Sequence, residues 1–143
     1  FSYVNSPYSY GTSNPYMGKH VFSKHFYPRV FDLKPEGEEF DCACFLDALA
    51  EVEYWVRNIA LRSDTSFWLQ TSTDRFYPDF VCKLKDGRVL VLEYKNSNDW
   101  SNDENREKRL IGELWQERSG GTCLFMMPKG PDFEAIRAQV ANR

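Results

Sequence analysis

The spacing of apolar residues divides the chain into an irregular start and a regularly patterned remainder. Residues 1–34 are rich in Tyr, Ser, Pro, Gly and Asn and keep neither a helical nor a strand period, which predicts an irregular, aromatic-rich arm. Its many aromatic side chains predict that the arm packs on something, either this domain or a neighbouring one. Residues 35–143 are patterned throughout, so we expect one folded domain there.

Apolar residues at helical spacing predict three helices. In the first, Phe40, Ala43 and Leu46 recur at steps of three and four residues. The second is expected to start near Ser101 and Glu104, which have the spacing of a capping box. The helices would cover residues 38–50, the stretch from the capping box to Gly120-Gly121, and a last segment with Pro131 at its first position and Phe133, Ile136 and Val140 on its apolar face.

β-branched and aromatic runs predict strands at 52–58, near 67–70, at 76–84, 88–95 and 122–127. The clearest hairpin joins the third and fourth of these through a turn at Asp86-Gly87. We therefore expect an α/β fold with a central mixed four-stranded sheet flanked by helices, in the order α-β-β-β-α-β, followed by a last helix.

The register of that hairpin decides which side chains share a face. A three-residue loop with Gly87 in the left-handed conformation would pair Asp79 with Glu93 and separate two clean faces. A two-residue loop would pair Asp79 with Tyr94 and mix the faces. The three-residue register sorts the residues better, and we expect it.

Composition narrows the function classes. Lys and Arg number 18 and Asp and Glu 21, a net charge of -3, which excludes binding to DNA through bulk positive charge.

No run approaches the roughly 20 apolar residues of a membrane span and no signal peptide is visible, so we expect a cytoplasmic protein. Because the chain starts at Phe1, we expect a piece of a longer protein. No zinc site is predicted, and buried free thiols are expected at the four cysteines, Cys42, Cys44, Cys82 and Cys123.

Candidate chemistry gathers on one face of the hairpin. Glu93 and Lys95 share a face because side chains alternate along a strand, and the preferred register adds Asp79. Two facing carboxylates repel unless a positive charge lies between them. A divalent cation such as Mg²⁺ is the natural partner, since it takes oxygen ligands. Lys95 could then orient water or stabilise charge developing on a phosphate.

Glu39 lies at the edge of the buried face of the first helix, where a carboxylate is unfavourable unless it is paired. Each acid also has a structural explanation, as a turn cap, an exposed ion pair or a charge favoured by the helix dipole. The nearly unbroken apolar run that leads to Glu93 favours a shared site instead.

The motif Pro78-Asp79 followed by Glu93-Tyr94-Lys95 resembles the PD-(D/E)xK nuclease signature. The resemblance extends to four blocks in order and is to the C-terminal nuclease domain of type III restriction enzyme helicase subunits and related DEAD/DEAH-box helicase-family proteins. The blocks are GEEFDCACFLDAL, VEYWVRN, FYPDFVCKLKDGRVLVLEYK and EKRLIGELWQERSGGTCLFMM.

This resemblance implies a restriction-endonuclease-like core and Mg²⁺-dependent DNA cleavage, with Mn²⁺ as a substitute. The family's first-helix acid falls on Glu39, although Glu38 and Glu36 are close, and its remaining residues fall on Asp79, Glu93 and Lys95. The three acids would bind the metal, and Lys95 would assist the attack of water on phosphorus. The implied partners are DNA, a fused or associated helicase motor and a modification methyltransferase subunit. Asn96 replaces the glycine often found after the lysine.

Three further residues are candidates for DNA contact. Lys108 lies on the helix that flanks the site in this superfamily, Arg57 ends the strand at 52–58, and Trp100 lies in a polar loop where it could stack on a base. A solvated basic helix face and core packing are the alternatives. Two other functions stay open: a docking or DNA-binding module that kept the nuclease fold with weak or no activity, and a repair or junction nuclease on the same fold.

Overall fold

The computed structural model describes residues 10–60, 66–96 and 98–142. Within these ranges the chain forms a mixed α/β fold with three helices, a four-stranded sheet and a separate two-stranded hairpin. The elements in chain order are α1 (Glu38–Ala48), β1 (Val52–Arg57), β2 (Leu69–Gln70), β3 (Arg75–Phe76), β4 (Phe80–Leu84), β5 (Val89–Leu92), α2 (Asp103–Arg118), β6 (Cys123–Met126) and α3 (Phe133–Ala141).

The central sheet has the order β1-β4-β5-β6 and is mixed, as the sequence predicts. β1 and β5 both pair antiparallel with β4, whereas β5 and β6 are parallel and are joined through α2. The carboxyl ends of β5 and β6 therefore meet at one edge of the sheet, and the residues that follow them, 93–95 and 127–129, lie side by side there.

The hairpin register is confirmed. Phe80 pairs with Leu92 and Lys83 with Val89, and the N–H of Leu84 donates to the carbonyl of Arg88 at 2.9 Å. Gly87 has a φ of 97°, a conformation that glycine adopts without strain and other residues rarely do. This register places Asp79 opposite Glu93.

Each face of the sheet has its own apolar cluster. Leu90 and Leu92 point to the face covered by α1, α3 and part of the arm, whereas Val91 points to the face covered by α2 and the β2–β3 hairpin. Trp55 is the largest fully buried side chain and belongs to the first cluster. Both faces of the central strands are covered, which explains their nearly continuous apolar sequence.

The expected strand at 76–84 is wrong in its first half. Phe76 belongs to the β2–β3 hairpin, and β4 begins only at Phe80. Pro78 has no N–H to donate to a sheet ladder, and its carbonyl accepts from Nδ2 of the buried Asn58 at 2.8 Å. The chain therefore bends immediately before Asp79. Four other elements were also predicted to extend too far: the first helix ends at Ala48, β1 at Arg57, β5 at Leu92 and β6 at Met126.

Two helix starts differ from expectation. The N-cap of α2 is Asn102, whose side chain accepts from the N–H of Asn105 at 2.9 Å, so the capping box at Ser101 is wrong. The N-cap of α3 is Asp132, so Pro131 precedes the helix instead of opening it. The end of α2 before Gly120-Gly121 is confirmed.

The described part of the arm, residues 10–34, packs on this domain. Val30 and Leu33 join the main core, and Tyr10 and Tyr27 form a smaller cluster with Val56 and Ile59. All four cysteines are free; Cys42 and Cys82 are buried as expected, whereas Cys44 and Cys123 are only half-buried. None of the helices in the described ranges is long and apolar enough to cross a membrane.

Candidate active site

The structure brings Asp79 and Glu93 together at the ends of β4 and β5. The N–H of Asp79 donates to Oε1 of Glu93 at 3.1 Å, and the N–H of Tyr94 donates to Oδ2 of Asp79 at 2.9 Å. Glu93 is almost entirely buried, with 4% of its surface exposed. One oxygen of each carboxylate is therefore fixed by the backbone, which leaves the other oxygen for side chains or a ligand.

Two lysines approach the free oxygen of Glu93. Lys95 Nζ lies 3.5 Å from Oε2, and Lys108 Nζ lies 4.0 Å from the same atom. Lys108 comes from α2, where it also pairs with Glu104 at 3.4 Å. The sequence predicts Lys108 as a candidate DNA contact. In the structure its ammonium lies near the carboxylate of Glu93.

Arg57 forms ion pairs with both Glu39 and Asp79. Its guanidinium lies 3.1 Å from Glu39 Oε1 and 3.6 Å from Asp79 Oδ1. It also donates to the backbone carbonyls of Asp32 at 3.2 Å, Asn58 at 2.8 Å and Asp79 at 3.0 Å. These contacts place Arg57 within the site. All four residues expected from the nuclease motif thus lie in one connected network with Arg57 and Lys108.

Burial and mutual repulsion perturb two of the acids. Burial, together with the neighbouring Glu93 carboxylate, raises the pKa of Asp79 well above its usual range, and the nearby Arg57 only partly offsets this. Burial and the Asp79 carboxylate raise the pKa of Glu39, again against the opposing effect of Arg57. Both carboxyl groups therefore bind a proton more readily than they would in water.

Asn58 fixes the backbone beneath the site. It is 2% exposed, and its side chain satisfies three backbone groups: the carbonyls of Phe67 and Pro78 and the N–H of Phe67, all within 2.9 Å. The N–H of Asn58 also donates to the carbonyl of Asp79 at 2.8 Å. This amide therefore holds the bend that presents Asp79, a role the sequence did not reveal.

The site carboxylates have the donor chemistry of a divalent-cation site. Asp79 and Glu93 supply hard oxygen ligands, and a cation would oppose both the burial and the Glu93 charge that raise the pKa of Asp79. Glu39 is occupied by Arg57, so it could become a ligand only if that pair opened. Across the described ranges, no group of three or more His, Cys, Asp or Glu side chains is arranged to hold a metal ion. The outer oxygens of Asp79 and Glu93 also face Arg57 and the two lysines, so a cation bound by these two carboxylates would displace those side chains.

An open cavity of about 460 Å³ lies beside this network. Its lining includes Glu39 and Arg57 of the network, together with Lys34, Tyr94 and Asn96. Among the residues that the structure describes, the buried hydroxyl of Tyr94 has no hydrogen-bond partner, an uncommon condition for a buried polar group. Of the three site acids, only Glu39 lines this cavity.

Trp100 is held in place at the same edge of the sheet. Its Nε1 donates to the carbonyl of Met127 at 2.8 Å, and its ring packs against the cluster under α2. The guanidinium of Arg109 lies 3.6 Å from the ring centroid. Trp100 is thus anchored to the residue that follows β6, and it already has a cation stacked against it.

A scan against models of protein families, a search of curated proteins and a search of solved structures each find no match to this chain.

Proposed function

We propose that this chain is a metal-dependent DNA endonuclease module that hydrolyses phosphodiester bonds. The observation that carries the proposal is the juxtaposition of Asp79, Glu93 and Lys95: two facing carboxylates with a lysine ammonium 3.5 Å from the second. These residue types at this spacing also resemble the PD-(D/E)xK signature, and the α-β-β-β-α-β order of the core supports assigning the chain to the restriction-endonuclease-like fold.

In this proposal Asp79 and Glu93 hold one Mg²⁺ or Mn²⁺ ion, with Glu39 as a third ligand if Arg57 releases it. The cation supplies Lewis-acid stabilisation of charge on the phosphate. Lys95 orients the attacking water or donates to a phosphate oxygen, because its ammonium already lies next to Glu93. Water adds to phosphorus, one P–O ester bond breaks, and the leaving oxygen takes up a proton, which yields a phosphomonoester end and a hydroxyl end.

The resemblance also supports a place in a larger machine. A restriction-type helicase motor and a modification methyltransferase subunit are the partners we propose, with DNA as substrate. The net charge of -3 fits a module that other parts position on DNA, because it provides no bulk attraction to phosphates. The four free thiols suit a reducing cytoplasm.

A second candidate, a non-catalytic DNA-binding or docking module, is favoured by one observation. Arg57 and Lys95 already pair with Glu39, Asp79 and Glu93, and such ion-pair networks also occur where the role is structural. This candidate predicts DNA or protein binding without metal binding or strand cleavage.

Nicking of supercoiled plasmid DNA with and without Mg²⁺ separates the two candidates. We expect Mg²⁺-dependent nicking that falls about 100-fold or more in Asp79→Asn and Lys95→Gln. Glu117→Gln and Lys85→Gln change exposed residues outside the network and serve as charge-matched controls that keep the activity. Nicking that survives both site substitutions would defeat the site assignment. Absence of nicking, together with no heat of Mg²⁺ binding by calorimetry, would favour the docking module.

A further inference from the structure

The indole of Trp100 has two cationic side chains over it. The guanidinium of Arg109 lies 3.6 Å from the ring centroid, and the ammonium of Lys129 lies 5.7 Å from it. Arg109 also donates to the carbonyl of Trp100. Since Nε1 of the indole is anchored to Met127, the ring is a fixed platform that orients both cations.

Neither cation has an anionic partner in the described ranges. The ion pairs there involve Arg57, Lys95, Lys108 and others, but not Arg109 or Lys129. Because both positive charges lie near the same ring, they repel each other, and a bound anion would relieve that repulsion. A guanidinium that stacks on tryptophan through its face can still donate hydrogen bonds from the N–H groups at its edge.

Backbone pairing connects this cation pair to the proposed nuclease site. Lys129 and Lys95 form a parallel β-bridge, and the N–H of Gly130 donates to the carbonyl of Lys95 at 2.8 Å. Bridged residues direct their side chains to the same side of a sheet. Lys129 therefore lies next to the lysine that contacts Glu93, on the face that α2 and Trp100 cover.

We propose that Arg109 and Lys129, positioned by Trp100, form a clamp for a backbone phosphate of a nucleic-acid strand, next to the phosphate that is cut. This inference rests on the proposed function and adds to it a second phosphate site and its residues. It also assigns Trp100 a positioning role in place of base stacking. Contacts to flanking phosphates fix register on the strand and carry no sequence preference.

Fluorescence anisotropy of a short labelled DNA duplex, measured in EDTA, tests the clamp without any cleavage. Lys129→Gln removes an exposed charge and is the main variant; Arg109→Gln is the second. Lys85→Gln, exposed in the β4–β5 loop at the opposite end of the sheet, is the control. Each variant is compared by thermal unfolding, so that a folding defect is recognised.

Lys129→Gln and Arg109→Gln should each weaken binding severalfold and reduce the slope of log affinity against log salt by about 0.9, the effect of losing one phosphate contact on a duplex. Lys85→Gln should leave both quantities unchanged. Equal affinities and slopes in wild type and both clamp variants would overturn the inference, as would an absence of duplex binding by the wild type. A loss confined to Trp100→Phe, with normal binding by both cation variants, would also overturn it, since it would show direct base stacking. Because binding is measured without metal, these outcomes are independent of whether the protein nicks DNA.

Discussion

Asp79 and Glu93 exchange contacts across two strands: the N–H of Asp79 donates to Oε1 of Glu93 at 3.1 Å, and the residue after Glu93 returns a backbone N–H to Oδ2 of Asp79 at 2.9 Å. This exchange holds two carboxylates face to face against their repulsion. The remaining oxygens face cationic side chains, Arg57 on one side and Lys95 on the other. Binding of a divalent cation to these carboxylates should therefore change the stability of the folded protein.

Addition of Mg²⁺ should stabilise the folded protein. A ligand that binds only the folded state at ten times its Kd adds about 1.4 kcal/mol to the free energy of unfolding, which raises Tm by a few degrees in a domain of this size. Asp79→Asn should abolish this shift because it removes one of the two ligands, and Glu117→Gln should retain it. A shift of equal size in Asp79→Asn, measured by differential scanning calorimetry, would argue against the cation site.

His25 should make stability depend on pH. Burial lowers the pKa of this imidazole to about 4, and its Nε2 accepts from the N–H of Arg57 at 3.1 Å, a contact that protonation would remove. Because the folded-state pKa lies below the unfolded value of 6.5, the contribution is complete above pH 6.5 and is lost as the pH falls toward 4. As the pH falls from 6.5 toward 4, the free energy of unfolding of the wild type should decrease by on the order of 2 kcal/mol more than that of His25→Gln.

The matched control for that titration is His20→Gln, which changes the exposed histidine of the same arm. Its free energy of unfolding, from urea titrations at several pH values, should follow the wild-type profile. If His25→Gln also followed it, the buried neutral imidazole would not be the titrating group.

Asp47 should be a main anchor of the arm. Its carboxylate accepts from the N–H and hydroxyl of Ser23, the N–H of Lys24 and Nε1 of Trp55, at 2.8–3.2 Å. Burial alone would raise its pKa, but these hydrogen bonds lower it below the usual value. Asp47→Asn should destabilise the protein by about 2–4 kcal/mol in urea unfolding, whereas the exposed Glu53→Gln should have little effect. An Asp47→Asn variant as stable as wild type would show that the arm is held by its apolar contacts.

Gly112→Ala should destabilise the protein although alanine favours helices by about 1 kcal/mol over glycine. A Cβ at this position would lie 2.2 Å from the ring of Phe125, so α2 could not stay as close to β6. We expect a net loss of about 1–3 kcal/mol and a displaced Lys108. Glu113→Ala, on the exposed side of the same helix, should be near neutral. A more stable Gly112→Ala would show that the two elements separate readily.

The local pattern of apolar and polar residues was sufficient to predict the mixed sheet and the hairpin register. Alternation of apolar and polar residues around Asp86-Gly87 predicts which residues face each other, and the observed register agrees in placing Asp79 opposite Glu93. The register was decisive because a one-residue slip would have moved every side chain to the other face.

Long-range pairing was not predictable in the same way. Lys129 and Lys95 become neighbours only because β5 and β6 are parallel strands joined through α2, and no local signal marks Lys129. The bend before Asp79 depends on Asn58, whose amide reaches across to Pro78. Arg57 was predicted as a DNA contact from its position, while its ion pairs depend on tertiary packing against α1.

The rate of plasmid nicking as a function of Mg²⁺ concentration, in wild type and in Asp79→Asn, tests the central claim most directly. The account predicts a rate that rises with Mg²⁺ and saturates in the wild type, and a rate at least about 100-fold lower at every concentration in the variant. Equal rates in the two proteins across the titration would contradict it.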